Sequence, residues 1–297
     1  MKKATLCLLV LSLATGFASE SNRKIVFSRG ESIWIANPDG TEAKKVTRGS
    51  SPDISPDGTR IAFTTDEPDK KTGPVRHIAV VEIAAGKTTV FKEMPGDNCF
   101  GPVWSHDGRQ IAFYILAEKN WQIGVVKSDG SDFHYLKKAN ANGLSYFSVC
   151  WSSDDKSIFC QDLEHLFRFS LDGSLIKQWD IGQLTGGSTM NSGDRIDISP
   201  NGQRLIFDVD LPQEHSRTNW DGPQPAIYVL DLKTEKTTRV TGKSDFAWDP
   251  CWLTNDELLC IIQGEHENEP SLYRTASDAW HPKLVAKHAR DPSAQAP

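Results

Sequence analysis

The chain has 297 residues, 38% of them hydrophobic and 24% charged, with a formal net charge of −6 at pH 7. This is ordinary globular composition with enough length for a sizeable core, and its acidic balance excludes a general binder of nucleic acid or anionic membrane, which needs a basic face. The six cysteines include no Cys-x-x-Cys pair, so neither a zinc knuckle nor a thioredoxin-type motif is written here.

Residues 1–18 read as a secretory signal. Lys2 and Lys3 form the basic start, an apolar run extends from Ala4 to Phe17, and Gly16-Phe17-Ala18 is a small-x-small end. Ser19, Glu20, Ser21 and Asn22 follow at once, too soon for a membrane span, and no later run is long and apolar enough for one. The expectation is a periplasmic or secreted monomer. An oxidising compartment permits disulfides, but the cysteines beyond residue 18 are odd in number: Cys99, Cys150, Cys160, Cys251 and Cys260.

From residue 24 onward one unit repeats. Ile25-Val26-Phe27 opens the chain as a strand. Ile33-Trp34-Ile35 then leads through Pro38-Asp39-Gly40 into a hairpin. Next comes Ser55-Pro56-Asp57-Gly58-Thr59-Arg60-Ile61-Ala62-Phe63, followed by a second hairpin from Ile78-Ala79-Val80. The same pair of units recurs from Ser105, Ser152, Ser199 and Leu253, and hairpins start at Ile123, Leu166, Ile227 and Leu272. Pro presets φ, Asp or Asn bonds its own backbone and Gly supplies positive φ, so each motif is a tight turn between two short strands. Asp155 and Asp256 stand near the glycine position in the third and fifth motifs, which predicts a different turn geometry there. With the strands of a repeat called a, b, c and d, there are six b strands and six c–d hairpins but five clear a strands. Short strands recurring about every 50 residues predict an all-β fold, a six-bladed β-propeller of four-stranded antiparallel blades over 24–295. Asp291-Pro292-Ser293-Ala294 resembles Asp249-Pro250-Cys251-Trp252. Residues 292–295 are therefore expected beside Ile25–Phe27, completing the first blade.

The Ser-Pro-Asp-Gly-x-x-Ile-Ala-Phe run resembles the repeat of TolB-like propellers, over roughly residues 24–295. The motif is specific for the fold and weak for function. The resemblance implies a propeller that docks a protein in the periplasm. TolB itself carries an additional N-terminal α/β domain, for which the residues before Ile25 leave no length, so a stand-alone propeller is expected.

Propeller strands alternate in direction, which sends the a–b and c–d turns to one face and the b–c and d–a connections to the other. Nearly every long connection, among them 65–77, 178–195 and 208–226, falls in the second class, and binding residues concentrate on loops held by a rigid scaffold. At the channel mouth this selects Asn98, Phe100, Tyr146, Phe147, Asn191, Arg195, Trp248 and Asp249, and on the outer loops His215, Arg217, Trp220 and His266. Aromatics with Arg and Asn suit a protein or glycan surface. For Phe100 and Phe147 the competing reading is packing between blades. A protein partner in the cell envelope is the leading expectation, with carbohydrate as the alternative ligand.

The rival function is a metal-assisted carbohydrate-active enzyme, a lyase or hydrolase using His215, His266 and nearby acids. Solvated charged loops explain those residues more simply, so no catalytic residue, metal ligand or cofactor is assigned. A Gly-x-Ser-x-Gly elbow and a phosphate-cradling Gly-rich loop with Lys-Ser/Thr are both absent. Cys150 and Cys160, like Cys251 and Cys260, are expected near-diagonal on neighbouring strands, as small apolar fillers and not disulfides.

Overall fold

The computed structural model describes residues 23–69, 73–96, 98–137, 143–212 and 217–296. Residues 1–18, expected to be a secretory signal, and His215 lie outside the described residues.

Six four-stranded antiparallel sheets are arranged as blades. The first contains β1 (Ile25–Arg29), β2 (Ser32–Ala36) and β3 (Lys44–Arg48). Blade two runs through β4 (Ser50–Ile54), β5 (Arg60–Asp69), β6 (Gly73–Glu82) and β7 (Thr88–Val90). Blade three holds β8 (Cys99–Trp104), β9 (Gln110–Ala117), β10 (Asn120–Lys127) and β11 (His134–Lys137). Blade four holds β12 (Phe147–Trp151), β13 (Ser157–Gln161), β14 (His165–Ser170) and β15 (Leu175–Asp180). A short helix, α1 (Ile181–Thr185), leads to blade five: β16 (Ile196–Ile198), β17 (Arg204–Leu211), β18 (Gln224–Asp231) and β19 (Lys236–Arg239). Blade six comprises β20 (Ala247–Trp252), β21 (Glu257–Ile262), β22 (Ser271–Ala276) and β23 (Lys283–Ala286). Finally β24 (Arg290–Ala294) returns to blade one and pairs with β1, Ile25 opposite Ala294 and Val26 opposite Ser293. The C-terminal strand thus supplies the missing inner strand, as the Asp-Pro pattern predicts.

The repeated turn explains the regularity. In blade two Ser55 Oγ donates to Asp57 Oδ1 at 2.6 Å and accepts from Arg60 N, while Gly58 N donates to Ser55 O with Gly58 at φ 70°. Blade four keeps this geometry without glycine: Asp155 sits at φ 55° and its N–H donates to Ser152 O. The expectation of a different turn fails there because Asp tolerates the left-handed region. It holds in blade six, where Leu253 N and Thr254 N both donate to Glu257 O.

Two further departures concern the long connections. Residues 65–69 and 73–77 are a paired extension of β5 and β6, with Asp69 opposite Gly73. The 178–195 connection includes α1, which is started by Asp180 accepting from Gln183 N and ended by Gly186 at φ 79°.

The buried apolar residues form six layers, one between each pair of neighbouring blades. Each b strand is buried on both faces, so Ile61 faces blade one and Ala62 faces blade three. That is why Ile-Ala-Phe reads as an unbroken apolar run. Each fully buried Ile or Phe contributes about 1.5–3 kcal/mol relative to exposure.

The same alternation settles the five described cysteines, which are all buried and outside any disulfide. Cys150 belongs to the layer between blades four and five and Cys160 to the layer between blades three and four. Cys251 and Cys260 likewise face opposite sides of blade six.

Candidate functional site

The innermost strands line a central cavity of about 430 Å³ on the long-loop face, within the range of about 300–1,000 Å³ usual for binding clefts. Counting back from the motif serine, or the residue in its place, generates the lining. Two residues before it stand Asp53, Val103, Cys150, Asp197, Cys251 and Ser293; four before it stand Ser51, Gly101, Ser148, Arg195, Asp249 and Asp291.

The second tier has an unusual backbone. Ser51, Gly101, Ser148, Asp249 and Asp291 all lie at φ between 47° and 61°. In each of these blades the pairing register shifts at that point, a β-bulge that re-aims the strand. Blade five is the exception: β16 is short and regular, and Arg195 occupies the equivalent position.

The first tier joins neighbouring blades. Asp53 Oδ2 accepts from Trp104 N and Asp197 Oδ2 accepts from Trp252 N, each at 2.7 Å, while Ser293 Oγ accepts from Ile54 N and donates to Asp53 Oδ1. These side chains satisfy strand N–H groups that face the channel and have no ladder partner there. In blade five Asp208 does similar work, accepting from Arg195 N at 2.7 Å and from Asp249 N at 3.3 Å.

Six carboxyls and one guanidinium line the cavity: Asp53, Asp194, Asp197, Asp210, Asp249, Asp291 and Arg195. Burial dominates their protonation. It raises Asp197 to about 6 against the opposing pull of its hydrogen bonds and Arg195. Burial and the Asp291 carboxylate raise Asp249 to about 7, although Arg195 pulls it down. Asp194 and Asp208 are held well above the usual carboxylate range by burial and by neighbouring carboxylates. Burial also raises Asp53 and Asp210. For Arg195 burial works against the charge, but Asp249, Asp291 and Asp197 outweigh it and the net shift is upward.

Two aromatic walls flank this floor. On one side Tyr114 packs on Phe100 with ring centroids 5.5 Å apart and on Trp121 at 5.3 Å. On the other Trp220 lies 5.1 Å from Trp248 and 5.6 Å from Phe246. The loop that carries Trp220 is fastened to blade six. Arg217 donates to Gln263 O and Ser244 O and stacks over Phe246, and Asn219 donates to Gly264 O and Glu267 O.

Of the residues selected from sequence, Phe100, Asn191, Arg195, Trp220, Trp248 and Asp249 line the cavity. Asn191 Nδ2 bridges Asp194 and Asp210. Tyr146 is buried against Phe167 and Phe169 between blades three and four, and Phe147 packs on Tyr114 and Trp121 behind the wall. Asn98 bridges to Arg76 at the blade-two boundary. Arg217 acts as the loop's fastener, and His266 is exposed on the blade-six connection. Among the described residues no group of three His, Cys, Asp or Glu side chains is placed to hold a metal ion. Sequence reasoning missed Asp53, Asp197, Asp291 and Ser293, although their fixed offset from the motif serine was a usable signal.

No protein-family model matches the chain. A curated TolB homolog from Chlorobium chlorochromatii is 28% identical over 144 residues, which is 46% of this chain and 31% of that protein. The match therefore spans under a third of the curated relative. The crystal structure of TolB from Acinetobacter baumannii superposes with a TM-score of 0.68 at 17% identity, covering 93% of this chain and 67% of that one. A TolB candidate from Agrobacterium tumefaciens gives a TM-score of 0.63 at 16% identity, covering 89% and 87%. The serine-centred repeat, the six closed blades and these likenesses agree: the chain is a TolB-like six-bladed β-propeller.

Proposed function

We propose that the chain is an exported protein-binding platform of the periplasm or cell envelope, which takes a segment of its partner into the channel mouth on the long-loop face. The observation that carries this reading is the cavity itself, open between two aromatic walls and floored by polar side chains held on rigid inner strands. Large, half-buried aromatics over a preformed concave site are typical anchors of protein interfaces. No helix of the described residues is long and apolar enough to cross a membrane.

The test is retention of envelope proteins on immobilised protein, compared with a Trp220→Ala/Trp248→Ala variant, followed by binding measured with the retained partner in pure form. The expected result is one partner whose affinity falls at least about tenfold in the variant, as for truncated hot-spot residues. A partner bound equally by the variant, or none retained, would overturn the channel-mouth reading.

A further inference from the structure

We propose that the cavity receives a basic side chain, lysine or arginine, from the partner segment that enters it. The inference rests on the platform reading and adds the chemistry of what is recognised.

Charge imbalance inside the cavity is the first argument. Six carboxyls face a single guanidinium, and Arg195 is already engaged, its Nη1 donating to Pro292 O at 2.9 Å. As these acids ionise, a lining of one sign of charge with low-dielectric walls focuses its field on the opening. The second argument is the rim. A cation descending to the floor passes Trp220 and Trp248, whose faces attract cations. An anionic group would meet Asp249 and Asp291 instead, and a neutral apolar group would strip water from carboxyls without replacing their hydrogen bonds.

The third argument is proton linkage. Asp249 is faced by Asp208 of β17, by Arg195 and Asp194 ahead of β16, and by Asp291 and Arg290 of β24. Burial and crowding raise Asp194, Asp208 and Asp249, the last to about 7, so Asp249 still holds much of its proton at neutral pH. An incoming ammonium or guanidinium favours their charged forms, so binding expels protons. Affinity therefore rises as pH rises through about 7.

The probes are three pentapeptides, acetylated and amidated, with Lys, norleucine or Glu at the centre of a Gly-Gly-X-Gly-Gly frame. Each is titrated calorimetrically into the full chain at about pH 6 and about pH 8, in buffers of different ionisation heat, which report the protons released. The lysine peptide is expected to bind at least about tenfold more tightly than the norleucine peptide, to release protons, and to tighten at the higher pH. Asp249→Asn is expected to weaken it and flatten the pH dependence. Asp210→Asn, at a half-buried position less essential to the fold, repeats the test should the first variant unfold.

Equal binding of the norleucine peptide, or preference for the glutamate peptide, overturns the inference, the latter making Arg195 the recognition group. If the pure partner binds in a Trp220- and Trp248-dependent way while Asp249→Asn and Asp210→Asn leave its affinity unchanged, the platform stands and the basic side chain falls. If no partner depends on the rim tryptophans, the platform itself falls.

Discussion

Arg195 of blade five donates through Nη1 to the carbonyl oxygen of Pro292, 97 residues away on the strand that completes blade one. The contact spans the channel mouth past blade six and fastens the closing strand from within. The strand is held again at Gln295, whose N–H donates to Lys24 O and whose side chain donates to Pro56 O of blade two.

Closure by β24 is therefore expected to govern cooperativity. Deleting residues 290–297 should replace a single sharp melt with a broad, lower one in circular dichroism. Arg195→Met, which keeps the strand but removes its tie, should lower stability by about 1.5–3 kcal/mol, as for hydrogen bonds to charged groups. An unchanged melt of the truncated protein would show that the ring closes without its last strand.

Stability should fall as pH rises from about 5 to about 8. The channel acids Asp197 and Asp249 have folded values of about 6 and about 7, above the ordinary 3.8. The folded state then binds more protons than the unfolded chain, so this contribution is full below the ordinary value and is lost as pH passes through the folded values. The turn carboxylates Asp57, Asp107 and Asp154 are shifted the other way, and their contribution is lost only under stronger acid. Melting temperature across this window is the measurement. Asp249→Asn should flatten its slope, and a slope of opposite sign would contradict the placement of these acids.

At Asp155 two effects compete. Glycine there would relieve a left-handed backbone, worth up to about 1–2 kcal/mol. The Asp155 carboxylate, however, accepts from His106 N and Asp107 N, each at 2.9 Å, joining the turns of blades three and four. Losing hydrogen bonds to a charged group, at about 1.5–3 kcal/mol each, outweighs the relief. Asp155→Gly should therefore lower the melting temperature by at least about 2–4 °C, with Asp155→Asn in between. A stabilised glycine variant would mean that backbone strain dominates.

The five buried cysteines should behave as inert thiols. Burial pushes Cys150, Cys160, Cys251 and Cys260 well above the usual thiol range. Thiolate is the reactive form, so a colourimetric thiol reagent should label the native protein slowly and all five sites at once in denaturant. Reductant should leave the melting temperature unchanged; a drop on reduction would reveal a disulfide.

Much of the fold was legible because the motif is local chemistry. Ser55, Asp57 and Gly58 close their own turn through bonds within five residues, and the same spacing recurs from Ser105 and Ser199. A four-stranded unit that cannot bury both faces alone must stack on its neighbours, so the repeat implies the ring. Even the closing strand was readable in Asp291-Pro292, the echo of Asp249-Pro250. The cavity was legible only in part. Arg195, Asp249 and Trp248 were selected as channel-mouth residues, but Trp220 was placed on an outer loop, and it reaches the rim only because Arg217 and Asn219 fasten that loop to blade six.

The sequence by itself determined the number of blades, the turn that builds them, the strand that closes them and the face that bears the long connections, since each follows from short-range spacing. Tertiary structure alone decided that Asp197, Asp249 and Asp291, from separate segments of the chain, converge on Arg195, and that Asp194, Asp208 and Asp210 crowd together beside them. Their shared field depends on distances through the ring and on exclusion of water, and neither quantity is written in the spacing of residues along the chain.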